Sequence, residues 1–209
     1  YLPRSTWDCG IACVMMLLPA GERQHLQANM AHVCLQEGFG RNTWNIDLCH
    51  LLRRYGVTSQ LHTTTIGVNE GHRTRNKWPS LQDRERVKER FESAISLGIE
   101  CFERRVTNDE IERWLSVGPL ILLVDADTLT CQLCKHNKLT SQFRFATALG
   151  TTPSISYRGH YIVCAAVVAG RVYYMDPARS HVCVTSLAEM ARARTQRGTD
   201  QDIIRIIRK

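Results

Sequence analysis

Trp7-Asp8-Cys9-Gly10-Ile11-Ala12-Cys13-Val14-Met15-Met16-Leu17-Leu18 is the stretch on which the reading of this chain turns. A cysteine and a glycine open a wholly apolar run that stops at Pro19. The run falls short of the roughly 20 residues needed to span a bilayer. It also lacks the basic leader and small-residue cleavage site of a signal peptide. It therefore predicts a buried helix with Cys9 in its first turn, where unpaired N–H groups and the helix dipole favour a thiolate. Free cysteine is also among the most buried residue types. Cys9 thus reads as more than a small hydrophobe only if the chain supplies a base for it.

Composition sets the frame for that search. With 44% hydrophobic and 22% charged residues, the 209-residue chain has the balance of a folded protein, and its length fits one domain over residues 1–209. The chain opens on Tyr1, so native residues ahead of it are expected to be missing. The nine cysteines are odd in number and scattered, and Cys13, Cys34, Cys49 and Cys164 fall within apolar periodic segments. A disulfide framework would set them at tight spacing in loops, so reduced thiols in the cytoplasm or nucleus are expected. No membrane partner is expected. The net charge of +7 comes with basic clusters only at Arg73–Lys77, Arg84–Arg90 and Arg192–Arg197. No nucleic-acid recognition motif accompanies them, so they read as solvated helix faces and no nucleic-acid partner is expected. Oligomeric state is not legible in the sequence.

Along the chain, helical periodicity predicts helices over Glu22–Gly38, from Thr43 to Gly56, and over Leu81–Leu97. Thr107 with Glu110 three residues on forms a capping box for another helix, and Ser186–Arg194 reads as a further one. Val57–Thr65, Ile99–Arg104 and Asp202–Ile207 read as strands. Leu120–Val124, continuously apolar, predicts a strand buried on both faces. The clearest local signal is His160–Val168, Ala169-Gly170 and Arg171–Met175, two strands joined by a tight turn. Helices crowd the first half and strands the second, which argues for an α+β fold with the cysteine helix packed on an antiparallel sheet from the second half. The stretches 66–80 and 126–158 are the expected loops around a cleft.

The hairpin supplies the base. His160 opens its first strand after Gly159, and Asp176 follows its second strand before Pro177. The turn at Ala169-Gly170 brings both to the same open end, where a carboxylate would orient the imidazole and the imidazole would deprotonate Cys9. The order Cys, His, Asp, with about 150 residues between the first two, is close to that of papain-type enzymes. Cys9, His160 and Asp176 are therefore the candidate catalytic residues, with Trp7, Asp8, Gly10 and Gly159 beside them. The corresponding function is hydrolysis of a peptide, isopeptide or amide bond in a peptide or protein substrate.

The residues at 7–13, Thr-Trp-Asn-Ile-Asp-Leu at 43–48 and Arg-Gly-His-Tyr-Ile-Val at 158–163 also carry a resemblance, as do Tyr-Tyr-Met-Asp-Pro-Ala at 173–178 and Arg-Gly-Thr-Asp-Gln-Asp-Ile at 197–203. The chain resembles the family called guanylyl cyclase domain-containing protein 1, nearly end to end. That family is similar in turn to the papain-like peptidases that remove double-glycine leaders from bacteriocins. The resemblance implies a papain-like fold, with Cys9 as nucleophile, His160 as base and Asp176 as orienter. In those peptidases an oxyanion-hole glutamine stands six positions before the cysteine, and Pro3 occupies that place here. The Cys9 N–H remains, with Ser5, Thr6 or Trp7 as further donors, and one lost donor costs about 10²–10³ in rate.

Two alternatives stay open. The family label implies a guanylyl cyclase, which would use GTP and divalent metal. Asp125 and Asp127 are the close acid pair for that chemistry, and a strand-end turn is the other reading of them. A catalytically weak binding module on a peptidase fold is the other alternative. No cofactor is expected for the hydrolase. Cys131-Gln132-Leu133-Cys134 has zinc or redox spacing, but a structural zinc takes four ligands and only His136 lies nearby.

Overall fold

The computed structural model describes residues 8–39, 42–70, 80–134 and 157–207. In chain order the elements are α1 (Cys9–Leu17), α2 (Ala20–Ala28), α3 (Met30–Gln36), α4 (Asn45–Arg54), β1 (Thr58–Thr63), α5 (Leu81–Ala94) and β2 (Glu100–Glu103). There follow α6 (Asn108–Leu115), β3 (Leu120–Asp125), β4 (Gly159–Val168), β5 (Arg171–Met175), β6 (Val182–Ser186), α7 (Leu187–Arg194) and β7 (Ile203–Ile207). The fold is α+β, built on one seven-stranded sheet in the order β2-β1-β7-β3-β4-β5-β6.

The sheet separates two apolar cores. On one side α1, α4 and α5 pack over Leu61, Ile121, Tyr161, Val163 and Ile204. On the other, α6 and α7 pack over Leu120, Leu122, Val124, Ile162 and Cys164. β3 contributes to both, as its unbroken apolar sequence requires of a strand covered on each face. α1 is buried almost all round, with Ile11, Cys13 and Val14 fully inaccessible. Gly10 permits this, since a Cβ there would come within 2.9–3.1 Å of Leu48 and Tyr161 side-chain carbons. The glycine therefore lets α4 and β4 close onto the first turn of α1, the turn that carries Cys9.

Three expectations are corrected. The sheet is not assembled from the second half alone, because β1 and β2 join it, and they pair parallel. β7 enters the middle of the sheet, antiparallel to both β1 and β3, and so ties the first-half strands to the rest. Residues 22–38 form two helices rather than one. Asn29 leaves the helical region at φ −109°, ψ 17°, and both its N–H and its side-chain amide cap the His25 carbonyl. β6 was not expected, although Val182-Cys183-Val184-Thr185 is rich in β-branched residues. Thr107 and Glu110 form the expected capping box, and Ser186 with Glu189 forms another at α7.

Asp47, in the first turn of α4, is wholly inaccessible and yet surrounded by charge. It accepts from Trp44 N–H at 2.9 Å and pairs with Arg86 at 3.1 Å and Arg90 at 3.0 Å. Arg86 also donates to the Gly38 carbonyl and pairs with Asp83, and Arg90 reaches Glu37. This network fastens α4, α5 and the end of α3 together.

Candidate active site

β4 and β5 form the predicted hairpin around Ala169 (φ 49°) and Gly170 (φ 72°). Two successive left-handed residues make the turn type whose twist matches a hairpin, and glycine takes the second position without strain. From the turn the ladder pairs Val168 with Arg171, Val167 with Val172 and Ala166 with Tyr173, then shifts to Cys164 with Tyr174 and Val163 with Met175. Ala165 is the extra residue of a β-bulge. Continuing the shifted register sets Asp176 opposite Ile162, diagonal to His160. A long side chain bridges such a diagonal, and His160 Nε2 meets Asp176 Oδ1 at 2.8 Å.

The carboxylate is itself held. Asp176 Oδ1 also accepts from Ala178 N–H at 2.9 Å, and the Asp176 carbonyl accepts from Arg179 N–H, so the turn at Pro177 fixes the acid. Cys9 lies near enough to the His160 ring to act on its charge. The carboxylate occupies Nε2. The structure thus brings Cys9, His160 and Asp176 into one neighbourhood, with His160 and Asp176 joined by a hydrogen bond. Cys9 is 7% exposed, at the edge of the core. Burial alone would lower the His160 pKa, but the hydrogen bond to Asp176 and the influence of Cys9 and Asp176 override it and push it up to about 9. Burial works to raise the Asp176 pKa, and its bond to His160 outweighs this and holds it below the usual carboxylate range. The pair therefore favours a charged imidazolium against a charged carboxylate at neutral pH.

Asp8 caps α1 through its carbonyl, which accepts from Ala12 N–H at 2.9 Å, and is buried beside Cys9. Gly159 faces Tyr157, whose hydroxyl would lie 2.6 Å from a Cβ there, and Gly198 meets the same ring. Tyr157, not singled out in the sequence, is thus wedged between two glycines next to the His160 strand. Trp7, Pro3, Ser5, Thr6 and His136 lie outside the described residues. Asp125 and Asp127 serve their own turn. Asp125 accepts from Thr128 Oγ1 at 2.6 Å and from Arg158 N–H at 3.1 Å, while Asp127 pairs with Arg158 at 2.7 Å. Cys131 and Cys134 lie together with Cys183.

Asp202, just before β7, is a buried acid that sequence reasoning passed over. Burial, reinforced by Asp200, raises its pKa to about 7, and its Oδ1 has no hydrogen-bond partner among the described residues. The folded state thus keeps a proton that the unfolded chain releases near pH 4. Stability is expected to fall as pH rises from about 4 to about 7 and then to level off. Asp202→Asn removes this loss. In urea melts it is expected to match the native chain near pH 4 and to exceed it near pH 8 by on the order of 2–4 kcal/mol. Equal stabilities at the higher pH would contradict the buried-acid assignment.

No helix among the described residues is long and apolar enough to cross a membrane. All nine cysteines are free thiols. No solved structure matches the chain. Guanylyl cyclase 1 of Arabidopsis thaliana is 31% identical over 211 residues, covering 97% of this chain and 72% of that protein. A family model described as guanylylate cyclase matches residues 2–206, and with that relative it shows that the chain belongs to the guanylylate cyclase family.

Proposed function

We propose that the chain is a papain-like thiol hydrolase acting on a peptide, isopeptide or amide bond, through Cys9, His160 and Asp176. The observation that carries this reading is the hydrogen bond of His160 Nε2 to Asp176 Oδ1 at 2.8 Å, with Cys9 near enough to the ring to act on its charge. The thiolate attacks the carbonyl carbon and His160 protonates the leaving amine. Water, deprotonated by His160, then releases the acyl group from the sulfur and regenerates the thiol. Asp176 keeps the ring in the orientation that serves both proton transfers. A vinyl-sulfone probe is expected to label Cys9 in preference to the other eight cysteines, mapped by peptide mass spectrometry. Equal labelling of all accessible thiols, unchanged in His160→Ala, would sink the proposal.

The family description and the name of the Arabidopsis relative favour a second reading, formation of cyclic GMP from GTP. Purified protein with GTP and manganese would then turn over, and Asp125→Ala with Asp127→Ala would stop it. Turnover at the level of a buffer blank removes this reading. Against it, those carboxylates are already taken up by Thr128, by the Arg158 backbone and by the Arg158 side chain.

A further inference from the structure

The loop after β3 returns to the outer edge of the sheet. Gln132 N–H donates to the Val184 carbonyl at 2.8 Å, and the Tyr174 hydroxyl donates to the Thr130 carbonyl at 3.2 Å. These ties set Cys131 and Cys134 against Cys183, whose strand β6 forms that edge. The three sulfurs lie within 4.8 Å of one another, with Cys134 and Cys183 at 3.8 Å. His181, two residues before Cys183, presents Nε2 at 3.2 Å from the Cys134 sulfur. Tetrahedral zinc at about 2.3 Å from sulfur and 2.0–2.1 Å from nitrogen sets its sulfurs about 3.8 Å apart and its sulfur and nitrogen ligands about 3.5 Å apart.

We propose that Cys131, Cys134, Cys183 and His181 form a structural zinc site. The Cys-x-x-Cys pair comes from one loop and the His-x-Cys pair from another segment, the two-by-two supply of ligands usual in closed zinc sites. A divalent metal binds these cysteines as thiolates and releases the thiol protons on binding. Cys131 and Cys183 are 7% and 1% exposed, so the site is enclosed on its inner side, with His181 as the outer ligand. The site closes the segment between Asp176 and Cys183, and so braces the turn that holds the partner of His160.

Protein produced in zinc-supplemented medium is expected to carry about one zinc per chain by elemental mass spectrometry. Cobalt exchanged into it should give the red absorption bands and sulfur-to-metal charge transfer of a tetrahedral thiolate site. Cys134→Ser, at a partly exposed loop position, should lose both signals, and His181→Ala should weaken zinc affinity by about 10-fold or more. A folded native chain that takes up neither metal would overturn the site. So would a disulfide among Cys131, Cys134 and Cys183 found by acid-quenched alkylation, or undiminished zinc in Cys134→Ser. An unchanged cobalt spectrum and affinity in His181→Ala would overturn the four-ligand set.

Discussion

His160→Ala is expected to slow alkylation of Cys9 by iodoacetamide about 100-fold near pH 6.5, the low end of what a positioned base contributes. The cause is the charge held on the ring. With its pKa pushed up to about 9, His160 stays protonated across the neutral range and stabilises a thiolate beside it. Across the neutral range, where the ring carries its charge, Cys9 of the native chain should therefore be alkylated faster than Cys9 of His160→Ala. Asp176→Asn should fall between the two, because the ring keeps its contact with the thiol and loses the carboxylate that holds its proton. The same group sets a stability window. A histidine whose folded pKa is raised contributes fully below about pH 6.5 and loses that contribution as pH rises through about 9. His160→Ala should thus be destabilised near pH 6 by up to about 3 kcal/mol and be nearly neutral above pH 10. Rate profiles of peptide-mapped alkylation and urea melts at the two pH values check both parts. Superimposable rate profiles for native and variant chains would mean that His160 does not charge the thiol.

The second large effect concerns the scaffold. Asp47→Ala is expected to cost about 3–5 kcal/mol, because it strands two partly buried guanidinium groups and removes the acceptor for Trp44 N–H. Asp47→Asn should cost less, since it retains one oxygen for the backbone donor. Removing Arg86 as well should recover part of the loss, because the stranded charge goes with it. A double-mutant cycle by urea denaturation measures that coupling, and a coupling near zero would show that Arg86 gains nothing from Asp47. The effect reaches the site through packing, since α4 seats Leu48 against Gly10 beside Cys9.

These two regions show what a sequence read alone discloses. The hairpin was legible because its signals are local: β-branched strands, a turn ending in glycine, and a histidine and an acid at matching ends. The run ending at Pro19 announced a buried helix for the same reason. What stayed hidden depends on pairing between distant segments. Nothing around Ile203–Ile207 says that this strand sits inside the sheet rather than at its edge, because its neighbours β1 and β3 are decided by the whole fold. Cys183 and His181 lie about 50 residues beyond Cys134, and only the sheet edge brings them together. The Asp202 carboxyl looked like an ordinary strand-end acid until its burial was known. Asp125 and Asp127 ran the other way, since the strand-end turn foreseen for them matches the bonds they make.

The bulge at Ala165 gives the hairpin one residue of slack. His160 and Asp176 stand 16 positions apart, yet a regular ladder with one residue fewer would reach the same diagonal. Losing Ala165 would heal the strand and leave the two side chains facing each other. The interval between them is therefore elastic by one residue. A search for kindred sites that fixes this spacing will pass over chains that hold the same pair of groups in the same place.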